Sequence, residues 1–252
     1  MEVFETKTEN VVVIDSQFYI PQLNRTRRIW LYLPNDYHTS LKHYPVVYMQ
    51  DGQNLFDQAT AFGDEWAVDK TLNSMLADTI IVGIDNSEHR LTEYNFYSHP
   101  EHGKGEGDRY VQFIIEVLKP FIDANYRTKP ERQYTVIAGS SMGGLISLYG
   151  AIYYPHIFGA AGVFSPSLWL VADQLNNLLQ KASVNVHYSQ RIYFYGGAKE
   201  GSNMVEHIRH VASALSGMHH FNVHVTIDPH GEHSEYHWRM VFPEFYLWLA
   251  RN

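Results

Sequence analysis

Gly139-Ser140-Ser141-Met142-Gly143, extended by Gly144, is the segment of this chain best suited to covalent chemistry. It follows the apolar run Tyr134 to Ala138 and precedes an amphipathic stretch, the strand-to-helix setting in which a G-x-S-x-G turn presents its central serine at the tip. Glycines are needed on either side because side chains there would collide across so sharp a turn. Ser141 is therefore the nucleophile candidate, and Ser140 is its decoy. A serine hydroxyl is too weakly acidic to attack a carbonyl unaided. It needs a base within hydrogen-bond reach and a third group that orients the base.

The chain order for such a turn is serine, acid, histidine. Of the 15 histidines, the best placed is His233, in Pro229-His230-Gly231-Glu232-His233-Ser234-Glu235, after the last apolar strand and just ahead of a helix. His230 and His237 are its alternatives. Together the three also have a metal-ligand spacing, but Pro229 and Gly231 make the segment a loop at its start and no H-E-x-x-H accompanies it, so no metal is expected. For the acid, Glu200 is the sole carboxylate of Tyr195-Gly196-Gly197-Ala198-Lys199-Glu200-Gly201, whose glycines allow a sharp turn at a strand end. Asp228 and Asp173 stand behind it. An oxyanion formed at an attacked carbonyl requires donors fixed in advance, each removal costing roughly 3–4 kcal/mol. The main-chain N–H of Met142 supplies one, and that of Gln53, in the early loop Gln50 to Phe56 with its turn-permitting Gly52, supplies the other.

These residues need a scaffold of strands linked by helices. Val11 to Ile20 and Thr26 to Leu33, separated by Pro21-Gln22-Leu23-Asn24, read as an antiparallel N-terminal ribbon. Short apolar runs then alternate with longer amphipathic stretches, the pattern of a parallel sheet. The predicted strands are 46–49, 80–84, 134–138, 159–164, 191–195 and 222–227; the predicted helices are 66–76, 108–122, 144–154, 203–215 and 235–249. Asp108 is a candidate cap and Pro155 a stop signal. This makes an α/β chain with a mostly parallel sheet of about eight strands, helices on both faces and one domain over residues 1–252. Gly103-Lys104-Gly105-Glu106-Gly107 lacks the Gly-Lys-Ser/Thr ending of a phosphate loop and reads as a surface loop.

Composition narrows the classes further. The chain has 252 residues, 45% hydrophobic and 18% charged, which is globular, and no cysteine, which removes disulfides and thiol catalysis. A formal charge of −8 offers nothing to phosphate backbones or anionic membranes, so neither nucleic acid nor membrane is expected as a partner. No apolar run approaches a membrane span and the start lacks a signal-peptide pattern, so the expectation is a cytoplasmic protein.

Several further segments, read together with the serine turn, resemble one group, the "Putative esterase" (esterase D-like) family of α/β-hydrolases. They are Tyr48-Met49-Gln50-Asp51-Gly52-Gln53-Asn54-Leu55-Phe56-Asp57, Trp66-Ala67-Val68-Asp69, Ile81 to Asn86 leading to Arg90 and Glu93-Tyr94, and Leu118 to Asp123 with Tyr126. Ser165-Pro166-Ser167-Leu168-Trp169 and Gly231-Glu232-His233 with Trp238 complete the set. The resemblance covers nearly the whole chain. It implies an α/β-hydrolase fold and a cofactor-free serine esterase with Ser141, His233 and Glu200 as triad and Gln53 and Met142 as oxyanion donors. It also implies a substrate rim formed by loops carrying Trp66, Arg90, Tyr94 and Trp169, where the tryptophans either stack on substrate or pack the loop bases. The expected substrate is a small-molecule or glycan-linked ester with an acetyl, feruloyl or similar small acyl group. A siderophore trilactone esterase and an acyltransferase using the same acyl-enzyme are the alternatives. S-formylglutathione hydrolase-like members usually have histidine where this chain has Ser140, which argues against a thioester. A chain of charge −8 also lacks an extended basic surface for an anionic ferric siderophore.

Overall fold

The computed structural model describes residues 6–98, 103–201 and 203–251. Strands β1 (Val11–Ile20) and β2 (Arg25–Tyr32) pair antiparallel, as the ribbon pattern predicts, and β2 continues antiparallel onto β4 (Ile80–Ile84). From β4 onward every pairing is parallel, through β3 (Val46–Gln50), β5 (Thr135–Ser140), β6 (Ala160–Phe164), β7 (Gln190–Gly197) and β8 (Phe221–Asp228). The sheet order is β1-β2-β4-β3-β5-β6-β7-β8. The expectation of an eight-stranded, mostly parallel sheet with an antiparallel N-terminal ribbon holds.

All residues of β3, β4, β5 and β6 are buried, because helices cover both faces and alternate side chains feed two separate cores. On one face Val47 and Met49 pack with Trp30 of β2, with Trp66 just ahead of helix α1 (Val68–Ser74) and with Phe242 and Phe245 of α8 (Glu235–Ala250). On the other, Val46 and Tyr48 pack with Tyr110, Phe113 and Leu148 beneath the remaining long helices.

After β4, a short α2 (Arg90–Glu93) is tied to the ribbon by a buried charge cluster. Glu93 accepts from Arg27 and, at 2.8 Å, from Arg25, which also reaches Glu106 at 2.6 Å. The helix predicted over 108–122 is a continuous run of α3 (Gly107–Phe113), a π turn (Ile114–Leu118) and α4 (Lys119–Asn125). Pro120 accounts for the wide turn: it has no N–H, and its ring would strike the Glu116 carbonyl in a regular helix. Asp108 lies inside the first turn of α3 and does not cap it. Helix α5 (Met142–Tyr153) follows the serine turn, and α7 (Met204–Ser216) matches expectation. A 3-10 segment (Leu168–Gln174) leading into α6 (Leu175–Val184) was not predicted, since its Asn, Gln and Asp content masks the apolar stripe of Leu175, Leu178 and Ala182. Among the described residues no helix is long and apolar enough to cross a membrane.

Candidate active site

The residues singled out for chemistry all follow the carboxyl ends of strands: Gln53 after β3, Ser141 after β5, Glu200 after β7 and His233 after β8. Open α/β sheets bind ligands at this edge, where successive crossovers leave a crevice.

Ser141 has φ 57° and ψ −121°, a conformation costly for a residue with a side chain. The surroundings hold it there. Its N–H donates to the Phe164 carbonyl at 2.9 Å, and its own carbonyl accepts from Leu145 and Ser167 at 3.0 and 3.1 Å. Helix α5 passes so close to β6 that a Cβ on Gly144 would lie 2.7 Å from the Phe164 oxygen. The Ser141 hydroxyl shares a 3.2 Å hydrogen bond with the Ser167 hydroxyl; no bond joins it to His233. Ser140, the decoy, is buried at the end of β5.

The loops after β7 and β8 touch through glycine. A Cβ on Gly197 would lie 2.3 Å from the Gly231 oxygen, so only glycine permits this approach, and Lys199 N–H and Ala198 N–H bridge to Gly231 and Asp228 across it. The contact brings Glu200 to His233: Nδ1 lies 2.7 Å from Glu200 Oε2, with the carboxylate 1% and the imidazole 40% exposed. The other oxygen of Glu200 accepts from Ser165 Oγ and from Gly197 N–H, both at 2.6 Å. Ser165 Oγ in turn accepts from Trp238 Nε1 at 2.8 Å, and the Trp238 ring meets His233 edge to face, with centroids 5.0 Å apart. With Nδ1 engaged, Nε2 is the nitrogen left to exchange a proton.

The alternatives fall elsewhere. Asp228 accepts from the His230 N–H at 2.8 Å, Asp173 is exposed in the 3-10 segment, and His237 bonds to Ser234 at 3.1 Å within the start of α8. Among the described residues no group of three or more His, Asp or Glu side chains is arranged to hold a metal ion.

Gln53 lies in the 3-10 turn Gly52–Asn54 and Met142 opens α5, positions whose N–H groups have no partner within their own helices. The Gln53 turn starts at Asp51, which takes φ 57° and is gripped from outside. Arg90 Nε and Nη2 donate to the two Asp51 oxygens at 2.7 and 2.8 Å, Asn86 Nδ2 to the first at 2.6 Å, and Asn86 N–H to Gln53 Oε1 at 3.1 Å. Burial works against the Arg90 charge, and the Asp51 carboxylate outweighs it, holding the guanidinium pKa above its ordinary value.

A cavity of about 510 Å³ is lined by Ser141 and His233 together with Asp51, Arg90, Glu235 and Phe62 among others; Gln53, Met142 and Glu200 adjoin these residues in the chain or by hydrogen bond but do not line it. The four expected rim residues separate in depth. Trp66 is 2% exposed and packs on Trp238 and Phe164, and Tyr94 is fully buried beneath Arg90, so neither forms part of a rim. Their segments lie near the site, but their side chains are apolar enough to be drawn into the cores below it. Arg90 does line the cavity, and Trp169 is 57% exposed on the 3-10 segment. Ser167, Asp51 and Asn86 entered the sequence analysis only within segments of the resemblance, with no role given to them. Ser165 and Trp238 entered it only as parts of a resemblance, and Glu235 and Phe62 carried no motif.

Comparison with known proteins places the chain among esterases. Residues 20–249 match a family model described as "Putative esterase". The "Uncharacterized protein YbbA" of Bacillus subtilis is 29% identical over 205 residues, covering 77% of this chain and 76% of that protein. The "Iron(III) salmochelin esterase" of Escherichia coli O6:H1 is 33% identical over 158 residues, 60% of this chain but only 34% of that longer protein. A solved "ferulic acid esterase" superposes with a TM-score of 0.74 at 18% identity, over 96% of this chain and 99% of that one.

Proposed function

The chain belongs to the "Putative esterase" family and is an esterase, and from that premise we propose that it is a serine carboxylic-ester hydrolase whose triad is Ser141, His233 and Glu200. Ser141 Oγ exchanges its Ser167 partner for His233 Nε2, gives up its proton to that nitrogen and bonds to the ester carbonyl carbon. The resulting oxyanion accepts from the N–H groups of Gln53 and Met142. The carbon–oxygen bond to the alcohol then breaks, and the alcohol leaves with the proton held by His233. Water, deprotonated by the same imidazole, attacks the acyl-enzyme and frees the acid and Ser141. Glu200 fixes the tautomer and bears the charge of the transient imidazolium. The scheme runs on this chain's own residues within one domain over residues 1–252.

The observation that carries this reading is the 2.7 Å contact from a buried carboxylate to an imidazole that opens into the same cavity as a strained serine. The substrate follows as a small-molecule or glycan-linked ester with an acetyl, feruloyl or similar small acyl group. A siderophore trilactone is the second reading, favoured by the salmochelin esterase match. The test is hydrolysis of a p-nitrophenyl ester series from acetyl to long acyl, with methyl ferulate and a catecholate trilactone, by the native chain and by Ser141→Ala and His233→Ala. Each variant is expected to lose about 10³-fold or more in kcat while remaining folded. Near-normal acylation by either in a single turnover rules the assignment out.

A further inference from the structure

The charges around the cavity do not cancel. Arg90, its one guanidinium, gives both Nε and Nη2 to Asp51, so that pair presents no net charge. Glu235 is left over. Its Oε1 accepts from Asn54 Nδ2 at 3.1 Å, and among the described residues no lysine or arginine pairs with it. Arg239, one turn along α8, points away: it donates to the Glu65 carbonyl and lies over the Tyr236 ring. Asp64, exposed nearby, adds to the negative field. The aromatic side chains in the same lining are Trp238, only 3% exposed with its ring packed on Trp66, and Phe62, 89% exposed, which offers its ring to a ligand. A carboxylate set beside an exposed aromatic ring in a partly enclosed site attracts an ammonium and repels an anion.

We propose that Glu235 is a specificity-determining residue, and that the cavity favours esters carrying a cationic group over neutral ones of the same shape and disfavours anionic ones. This rests on the cavity being the ester site. The first turn of α8 and the bond to Asn54 give Glu235 a structural use as well, but Glu235→Gln keeps an acceptor for Asn54 and removes only the charge.

The test uses two series of matched esters, one varying the alcohol and one the acyl group. The first is acetylcholine, its uncharged isostere 3,3-dimethylbutyl acetate and the acetate of a hydroxycarboxylate of similar length. The second is the p-nitrophenyl esters of 4-(trimethylammonio)butyrate, of its neutral carbon isostere and of a monoanionic dicarboxylate. In at least one series kcat/KM for the cation should exceed that for the neutral ester by about tenfold and that for the anion should fall below it by a similar factor. Glu235→Gln should bring both ratios close to one, and raised ionic strength should shrink them in the native chain. Ratios near one in both series, or ratios that survive Glu235→Gln, overturn the proposal. Failure to hydrolyse any of the six esters counts against the esterase site itself. Charge selection is then read from choline against 3,3-dimethylbutanol binding to Ser141→Ala by tryptophan fluorescence, where equal affinities overturn it.

Discussion

Ser141 stands where it does because main chain surrounds it: the Phe164, Leu145 and Ser167 backbone bonds and the close pass of Gly144 leave its turn no alternative. His233 reaches Glu200 through the Gly197–Gly231 main-chain contact, but its imidazole is then oriented by side chains from distant parts of the sequence, Trp238 to Ser165 to Glu200 to the ring. Backbone positioning resists displacement but also makes the fold itself depend on the turn. A side-chain relay leaves the backbone unstrained and is open to adjustment one hydrogen bond at a time. Substitutions in the two regions should therefore fail differently, the first in stability and the second in rate.

The largest separation is expected for Glu200→Gln. An amide in that place accepts from only one side and leaves the His233 tautomer undefined, so kcat should fall by about 10³-fold or more with Tm nearly unchanged. A loss below about tenfold would show that another carboxylate or water orients the ring. Gly144→Ala should do the reverse. Its methyl would meet the Phe164 carbonyl at 2.7 Å, backbone against backbone, and should cost about 1–3 kcal/mol in denaturant unfolding. The fraction that stays folded should keep much of its kcat, and an unchanged midpoint would show that α5 can shift and that the turn is less constrained than its contacts imply. Trp238→Phe should be milder. Ser165 loses a donor but still bonds Glu200, and a ring still faces His233, so kcat should drop by about three- to tenfold, the scale of one hydrogen bond. No change in kcat would remove Trp238 from the relay.

The same contrast explains what the amino-acid sequence made legible. The serine turn and strands β3 to β6 are local matters, an apolar run ending in glycines, and pattern alone places them. The antiparallel ribbon is equally local. Glu200 was reachable because a lone carboxylate sat in a glycine turn at a strand end. The partners of Glu200 were not, since Ser165 and Trp238 lie 35 and 38 residues away on either side and nothing local distinguishes them from other serines and tryptophans. Depth was also hidden. Trp66 and Tyr94 lie on segments near the site, and only packing shows that their rings belong to the cores beneath it. The π turn before Pro120 and helix α6 escaped for a related reason: the first departs from helical pattern only in its hydrogen bonds, and the second carries its apolar stripe among Asn and Gln.

The smallest expected effect bears on the histidine side. Burial, and then the nearby Asp51 charge, raise the Glu235 carboxyl above its ordinary pKa, with His233 working the other way. A carboxyl whose pKa is higher folded than unfolded contributes most when protonated. It weakens the fold as pH rises from the unfolded value of about 4.3 through the folded one. Glu235→Gln removes that penalty while keeping the bond from Asn54, so its Tm should exceed that of the native chain at neutral pH. The difference should shrink toward zero as pH falls below about 4. A variant less stable than the native chain at neutral pH would mean that the charge supports α8, and Glu235 would then need no ligand to explain it. If the gain is found, both halves of the site carry a local cost. On the serine side it is backbone strain, and on the histidine side an unpaired charge, each held by a fold stable enough to bear it and each set where an ester would bind.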